Sequence, residues 1–282
     1  MDDMLIPARA IFLLFLSSLP VHSSSDRTFA QDRPQFFSAA FVSPGEELTY
    51  EVRWFGVALG RVRLTTLPPT TGAGGTIYHT SATIDSYDGL PFVDVHARDR
   101  SDMDPLFFSI AFRAAEKKGG RWRSEISRTD TAGRLLIIER VNLRSPSAAP
   151  EDAPAFDTLH LPSAQIQDGL SILSFARAHL RSGSALRVPT VVYGKLGTTR
   201  LQFSESTTSI QIEAIGKRVR ARAFEGTAEF EGVFGLSGDF KGWFSDDSAA
   251  LPLKAEMKVL LGSITIELTA WKRSGWDPPA IP

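Results

Sequence analysis

Length, composition and charge already exclude several classes of protein. The chain has 282 residues, of which 31 are basic and 32 acidic, so its formal net charge is −1. This balance provides no field that would attract nucleic acid or an anionic membrane. With 43% hydrophobic and 22% charged residues, the chain is globular and not disordered. It contains no cysteine, which excludes disulfides, thiolate metal sites and cysteine nucleophiles.

The N-terminal segment has the pattern of an export signal. Arg9 precedes a short apolar run, 10–16, and small residues follow that run. An apolar run of this length is too short to span a bilayer but is typical of a signal peptide. We therefore expect residues 1–30 to be a signal peptide with a lead-in, and the exported protein to be periplasmic. No second apolar run approaches spanning length, so we expect no integral membrane segment after cleavage.

Period-two alternation of apolar and polar residues begins at residue 47. The first run places four apolar residues on one face: Leu48, Tyr50, Val52 and Trp54. This pattern is typical of a strand with one buried and one solvated face. The following Phe55-Gly56-Val57 predicts a tight hairpin connection. Similar runs predict further strands near 58–65, 78–84, 93–97, 106–112, 122–128 and 135–141.

One segment in the middle of the chain has helical spacing instead. Its apolar residues are Ile166, Leu170, Leu173, Ala176 and Leu180, with Ile172 and Phe175 widening the apolar stripe. They predict one largely buried helix at about 164–182. Asp168 is placed to cap its N-terminus, and Gly183 to end it in a left-handed conformation. Before the helix, 145–156 is rich in Pro, Ala and Ser, and we interpret it as a loop between two halves of one domain.

Strand patterns resume after the helix and are clearest near the C-terminus. Short runs occur at 186–194, 198–204, 208–214, 217–224 and 226–234. Alternation then predicts three successive antiparallel strands at 239–244, 253–259 and 264–269. The single β-rich domain should therefore extend over 42–272, followed by a C-terminal tail at 273–282.

Taken together, these elements predict a mainly β protein with one inserted helix. An open flat sheet of so many strands is uncommon, so we expect a large antiparallel curved sheet that forms a barrel or half-barrel. Wide barrels leave space that side chains do not fill, and the helix is the natural plug or lid for that space. The alternative is two packed sheets with a filled core and no cavity.

An incompletely filled apolar interior would suit a lipid or acyl-chain ligand. The residues expected to line it lie on the apolar faces of the strands: Leu48, Tyr50, Val52, Trp54, Phe108, Phe112, Phe240 and Phe244. The expected lid or plug residues on the helix are Leu170, Ile172 and Leu173. We therefore predict a non-catalytic periplasmic protein that binds or shields an apolar ligand and uses no cofactor.

The chain contains no recognisable catalytic motif. Asp94 and His96 share a strand face and could bind a metal, but Arg98 on that face would repel a cation, so charge pairing along the strand is favoured. Asp246 and Asp247 could act as paired carboxylates. Adjacent turn residues point apart, however, and Asp commonly bonds to its own turn backbone. We therefore expect no catalytic residue and no metal.

Two alternative functions remain open at this stage. The first is a structural or interaction protein of the cell envelope that has a solid core and acts on an envelope protein through its surface. The second is a hydrolase with an unrecognised site, for which Asp246, Asp247 and His96 are the candidates. In none of these functions do we expect nucleic acid as a partner.

Four stretches, in their order and spacing, resemble domain of unknown function family 3108, which comprises uncharacterised exported bacterial proteins. They are PGEELTYEVRWFGVALGRVRL (44–64), RDRSDMDPLFF (98–108), IQDGLSILSFAR (166–177) and GWFSDDSAALPLKAEMKVLLGSITIEL (242–268). The resemblance covers about residues 42–270. It implies an exported, periplasmic, β-rich protein and brings no established activity. The family is similar in plan to lipoprotein carriers, in which a helix covers a half-barrel that shields acyl chains.

Overall fold

A computed structural model describes residues 39–72, 75–91, 93–130, 132, 134–229, 238–259 and 262–281. The predicted signal peptide at 1–30 lies outside this range. The first strands are β1 Glu47–Trp54, β2 Val57–Gly72, β3 Gly75–Ser86, β4 His96–Met103, β5 Ser109–Lys118, β6 Arg121–Asp130, β7 Leu135–Leu143 and β8 Ala155–His160. Helix α1, Ser171–His179, follows. The remaining elements are β9 Ala185–Val192, β10 Lys195–Ile212, a 3₁₀ turn Glu213–Ile215, β11 Lys217–Ala228, β12 Gly238–Ser245, β13 Pro252–Lys258 and β14 Ser263–Lys272.

All of these strands belong to one 14-stranded sheet, in the order β8-β7-β6-β5-β4-β3-β2-β1-β14-β13-β12-β11-β10-β9. Every pair of neighbours is antiparallel, and every pair except β1 and β14 is also consecutive in the sequence. The sheet is curved but not closed into a barrel, and β8 and β9 are its edges. The predicted curved antiparallel sheet is therefore confirmed in its open form. A single continuous sheet is present, and not the two packed sheets of the alternative.

The predicted hairpin after β1 is also confirmed. Phe55 and Gly56 both have positive φ, 47° and 79°, and Val57 begins β2 directly after them. Two successive residues of positive φ are typical of a type I′ turn, whose twist matches that of the strands it connects. The turn therefore places the side chain of Phe55 at the tip of the hairpin, where it is 69% exposed.

Helix α1 is shorter than the predicted helix at 164–182. Residues 166 and 167 are extended: Gln167 N donates to Pro189 O at 2.8 Å, Val191 N donates to Gln167 O at 2.8 Å, and Ser109 N donates to Ile166 O at 2.9 Å. The backbone groups that would begin the helix are thus bonded to β9 and to the start of β5. Ile166 matched the spacing of apolar residues in a helix because it is buried, but it does not belong to the helix.

The two edges of the sheet approach each other around Ile166. Its side chain packs with Leu136 and Ile138 of β7 and with Val191 of β9. These strands are far apart in the order of the sheet, so their contact requires the sheet to curl. The extended segment lies between the edges, where its backbone bonds to β9 and β5 and the side chain of Ile166 fills part of the gap.

The apolar faces of the strands form a continuous core. Its largest cluster includes residues from β1, β5, β13 and β14: Leu48, Tyr50, Val52, Phe112, Leu253 and Leu268. Each of these is 6% exposed or less. Inside the core the hydroxyl of Tyr50 donates to Pro252 O at 2.9 Å, which satisfies a polar group within the apolar cluster.

A second cluster is rich in phenylalanine and depends on two glycines. The ring centroids of Phe224 and Phe244 are 4.8 Å apart, and those of Phe224 and Phe240 are 6.0 Å apart. A Cβ added at Gly242 would lie 2.2 Å from the Phe224 ring, and one added at Gly226 would lie 2.3 Å from the Phe240 ring. The rings therefore lie directly over glycine backbone of neighbouring strands, which explains glycine inside a strand at both positions.

Gly60 provides a test of strand packing, because its constraint comes from backbone. A Cβ at this position would lie 2.5 Å from Asp85 O and 2.7 Å from Ser86 Cα of β3. We expect Gly60→Ala to lower the free energy of unfolding by about 1–3 kcal/mol, since the neighbouring strand must shift. Gly72→Ala is the matched control, because nothing lies within 4 Å of a Cβ there. Urea unfolding checks both variants, and equal stabilities would contradict the expectation.

Candidate functional site

The predicted apolar wall is divided between the two clusters. Leu48, Tyr50, Val52, Phe112 and Leu170 are buried in the largest cluster, and Phe244 is buried in the second. Phe108, Ile172, Leu173 and Phe240 pack against the second cluster but remain partly exposed. Trp54 is half-buried at the end of β1, with its ring 5.1 Å from that of Phe55.

Two of the partly exposed members lie on α1, and a third contacts it. On the helix, Phe175 is 4% exposed and its ring lies 5.3 Å from that of Phe108. Ile172 and Leu173 lie on the same helix and are only half-buried. The structure therefore brings Phe108, Ile172, Leu173 and Phe240 to the border of one aromatic cluster, and we call these four residues the apolar rim.

Asp168 fixes the approach to α1 through four hydrogen bonds. Its Oδ1 accepts from the backbone N–H of Leu170 and of Ser171, both at 2.7 Å. Its Oδ2 accepts from the hydroxyls of Ser101 on β4 and Ser109 on β5, both at 2.6 Å. The predicted capping role is confirmed, and the carboxylate also ties the helix to the sheet. Burial raises the pKa of Asp168 above its ordinary value, while the hydrogen bonds of Ser101 and Ser109 act against this rise.

A buried ion cluster holds the second half of α1. Arg177 donates through Nη1 to Glu46 Oε1 at 2.7 Å and through Nη2 to Glu46 Oε2 at 3.1 Å. Arg273, after β14, also donates to Glu46 Oε2 and reaches Phe41 O at 2.7 Å. Burial alone would raise the pKa of Glu46, but Arg177 and Arg273 outweigh it and hold the pKa below its ordinary value. Three distant parts of the chain therefore meet at one carboxylate.

The turn after β12 is structural. Asp247 Oδ1 accepts from the backbone N–H groups of Ala249 and Ala250, both at 3.0 Å, and its Oδ2 accepts from Trp276 Nε1 at 2.8 Å. Asp246 is bound by arginines at 2.8 Å (Arg222), 3.0 Å (Arg181) and 3.4 Å (Arg220). The predicted turn role is confirmed for Asp247, which accepts from its own turn backbone, whereas the Asp246 carboxylate is bound by arginines from other elements. Both are committed to structural partners.

His96 lies on β4 in a charged surface network. Its Nδ1 is 2.8 Å from Asp85 and its Nε2 is 3.2 Å from Asp94. Arg98 pairs with the same Asp85 at 3.0 Å, as expected for charge pairing along a strand. His96 shares no ion pair with Asp246 or Asp247, so the candidates for hydrolysis do not converge. Within the described ranges, no group of three or more His, Asp or Glu is arranged to hold a metal ion.

Two clefts stand out on the part of the chain that the structure describes. The first has a volume of about 600 Å³ and lies over β1, β13 and β14, where Glu51, Arg53, Lys254 and Glu267 contribute to its lining. The second, of about 220 Å³, lies beside α1 and is lined in part by Arg177, Arg181 and the Asp247 turn. Charged side chains line both clefts. Neither cleft is the apolar hollow expected inside the sheet.

A match to a known protein family covers most of the chain. The family model described as "Protein of unknown function (DUF3108)" matches residues 49–269. The chain belongs to this family. No curated protein matches the DUF3108 chain. No helix within its described residues is long and apolar enough to cross a membrane.

Three solved structures show some similarity to this DUF3108 chain. A β-barrel-like protein of the unknown-function family DUF1849 from Brucella abortus matches with a TM-score of 0.51 at 9% identity, covering 82% of this chain and 98% of its own. A protein from Bacteroides fragilis, inferred to be exported and with a YmcC-like fold, matches at 0.33 and 10% identity, covering 82% and 97%. A protein from Parabacteroides distasonis, inferred to be a lipoprotein, matches at 0.30 and 10% identity, covering 86% and 100%. The first of these supports the fold alone.

The sequence reasoning did not find the buried charges of the DUF3108 fold. Arg177 falls at the same helical spacing as Leu170, Leu173 and Leu180, on the buried stripe of α1. A charged residue at an apolar position was the signal that could have revealed the buried ion cluster. Asp99 likewise takes the buried phase of β4 between Ala97 and Ser101. A buried charge is stable only with a partner, and the partner of Arg177, Glu46, could not be read from the sequence.

Asp99 and Gln167 are the buried polar residues with the least support. Asp99 is 4% exposed, and its Oδ1 has no hydrogen-bond partner among the described residues. Gln167 is fully buried, and neither atom of its side-chain amide has such a partner there. Burial, with the nearby charges of Asp168 and Glu116, raises the pKa of Asp99 to about 7. Asp99 is therefore a pH-sensitive weak point of the interior.

We expect Asp99→Asn to stabilise the protein by an amount that grows with pH. The pKa of Asp99 rises on folding from its ordinary 3.8 to about 7. Between these values the unfolded chain releases its proton and the folded chain keeps it, so the free energy of unfolding of the wild type falls as pH rises, then levels off. The variant should be more stable by about 2–4 kcal/mol at about pH 8 and nearly equal at about pH 4.

Urea unfolding of both proteins across this pH range measures the difference. Asp88→Asn, at an exposed position, is the matched control and should follow the wild type at every pH. A stability difference between Asp99→Asn and the wild type that does not change with pH would contradict the assignment.

The ion cluster predicts that substitution of Arg177 lowers the stability of the protein much more than substitution of Arg181. Arg177→Met should lower the free energy of unfolding by about 3–5 kcal/mol, because it removes one of the two cations from a buried carboxylate. Arg181→Met should cost less than about 1 kcal/mol, because that side chain is half exposed and Asp246 keeps its other arginines. Thermal and urea unfolding check both, and losses of similar size would be inconsistent with this account of Glu46.

Proposed function

We propose that the protein is a non-enzymatic exported protein of the cell envelope that shields an apolar chain, such as an acyl chain, between α1 and the phenylalanine-rich face of its open sheet. The observation that carries the proposal is the apolar rim. Phe108, Ile172, Leu173 and Phe240 remain partly exposed at the border of a cluster of buried residues. An acyl chain laid along this rim would remove their remaining apolar surface from water.

Helix α1 is the element that a chain bound at the apolar rim would contact. The sheet is open between β8 and β9, and α1 lies between these two strands in the sequence. The helix has only 9 residues, and it is held by polar contacts at Asp168 and at Arg177. With α1 in place, the helix itself covers the aromatic face. A bound chain would take over contacts that Ile172 and Leu173 make, and each buried methylene contributes roughly 0.8 kcal/mol.

The candidate catalytic residues give little support to an enzymatic function. Asp246 and Asp247 are occupied by arginines and turn amides, and His96 belongs to a separate surface network. Periplasmic location is part of the proposal and is supported by the signal-like pattern in 1–30. The protein is proposed to act without a cofactor.

We expect the purified protein to take up dansyl-labelled undecanoic acid with enhanced and blue-shifted fluorescence. Leu173→Asp should weaken this uptake at least about tenfold, because it places a charge in the apolar rim. Phe156→Asp is the matched control, since Phe156 is 66% exposed on β8, away from the rim. Circular dichroism must show that both variants are folded.

A second measurement examines the native occupant. The protein is purified from the periplasm without detergent, and its organic extract is analysed by mass spectrometry. Recovery of a stoichiometric acyl compound would support shielding of a lipid. If no apolar molecule is recovered and the labelled fatty acid is not taken up, the proposal is wrong.

One observation favours the alternative of an interaction protein with a solid core. Leu48, Tyr50 and Val52, which were expected to line a hollow, are at most 6% exposed because protein side chains already surround them. A protein packed in this way would act through its surface. Capture of an envelope protein partner by a chain that carries no apolar ligand would support this second function.

A further inference from the structure

The larger cleft, of about 600 Å³, lies on the solvated face of the sheet, opposite the apolar core. Its floor consists of three neighbouring strands, β1, β14 and β13. Glu51, Glu267 and Lys254 stand side by side across these strands, because Glu51 pairs with Glu267 and Glu267 pairs with Lys254. Along β14 the cleft extends from Ser263 to Thr269, a length of about 20 Å for an extended strand.

An exposed aromatic ring forms one end of this cleft. Phe55, at the tip of the β1–β2 hairpin, is 69% exposed. Its ring rests on Gly262, where an added Cβ would lie 2.6 Å from the ring. The glycine therefore seats one part of the ring against β14 while most of its surface stays open to the cleft. A ring fixed in this way is a flat apolar platform beside polar groups.

A distant hairpin supplies the side wall. The 3₁₀ turn Glu213–Ile215 lies between β10 and β11, yet Glu213 N donates to Glu267 Oε1 at 2.9 Å. Arg53 Nη1 donates to Glu213 Oε2 at 3.2 Å, and Arg53 Nε to Glu51 Oε2 at 2.5 Å. The wall and floor are thus held together by the same side chains that face the cleft.

The charges in the cleft are already paired with one another. Arg53 forms ion pairs with Glu51 and Glu213, and Lys254 lies 3.5 Å from Glu267. With both signs interspersed, the cleft has little net field for a phosphate, a carboxylate or a metal cation. It offers instead fixed hydrogen-bond donors and acceptors, together with the hydroxyls of Ser263 and Thr265.

Backbone pairing excludes the commonest mode of peptide binding. An extended peptide adds to a sheet through a free strand edge, but β1, β14 and β13 each have a strand on both sides. Recognition in this cleft must therefore use side chains. A long, nearly neutral cleft with paired carboxylates, an arginine, hydroxyls and one exposed ring suits a ligand with many hydroxyl groups and apolar ring faces.

We propose that this cleft binds a neutral oligosaccharide. The ring of Phe55 would pack against the C–H face of one sugar, and Glu51, Arg53 and Glu267 would hydrogen-bond to hydroxyl groups of neighbouring units. This site is separate from the apolar rim at α1 and does not depend on the shielding of an acyl chain.

The test uses chitotetraose, cellotetraose and maltotetraose as probes, with the full exported chain, in isothermal titration calorimetry. We expect at least one of them to bind at up to millimolar concentrations. Phe55→Ala should weaken that binding about tenfold, and Phe55→Tyr should retain it, because an aromatic ring is preserved. Phe156→Ala is the matched control, since Phe156 is exposed to a similar degree, 66%, and should leave binding unchanged.

Arg53→Met provides a second variant on the polar side of the cleft and should also weaken binding. Thermal unfolding and circular dichroism establish that each variant is folded. Absence of binding to all three probes at millimolar concentration would overturn the proposal. So would equal losses in Phe55→Ala and Phe156→Ala, or saturable binding of an uncharged peptide that depends on Phe55 while the sugars do not bind.

Discussion

The pairing of β1 with β14 is the contact on which the rest of the fold depends. All other neighbours in the sheet are also consecutive in the sequence, whereas this ladder joins residues such as Leu48 and Trp271 from opposite ends of the chain. It unites two meanders, β1–β8 and β9–β14, into one curved sheet. Because its loop-closure entropy must be overcome before the contact contributes, this pairing is expected to be a slow step in folding.

The pairing of the two halves also brings buried charges together. Glu46 precedes β1 and Arg273 follows β14, so the pairing of these strands places the two residues side by side, where Arg177 of α1 joins them. Isolated buried charges are unfavourable, and a bidentate pair with a second arginine reduces that cost. Asp168 acts in the same way at the other end of α1, where it bonds to Ser101 and Ser109. The helix is thus positioned by polar contacts and not only by its apolar stripe.

Regular strands could be predicted from the sequence, and strands with buried polar residues could not. The alternation in β1, β12 and β14 is unbroken, and these strands lie where the pattern placed them. In β4 the buried phase includes Asp99 and Ser101, so the pattern suggested a strand at 93–97 instead of His96–Met103. The edge strand β8 is almost wholly exposed and had no apolar phase to reveal it.

The same limit applies to the residues that were expected to contact a ligand. Their apolar character was visible, but their degree of burial was not, because burial depends on which strands and helix face each other. Tyr50 is enclosed by the core, while Phe108 and Phe240 lie at its border. The larger cleft had no linear signal at all, since it combines a hairpin tip, a 3₁₀ turn and three strand faces from separate parts of the chain.

By itself, the sequence determined the class of fold, the antiparallel strands, a tight hairpin connection at Phe55-Gly56-Val57 and the existence of a single helix, because these follow from local spacing and turn chemistry. Only the tertiary structure decided that the sheet stays open, that the helix begins at Ser171, and that Glu46 binds Arg177 and Arg273. These features arise from contacts between distant residues, and periodicity along the chain carries no information on such contacts.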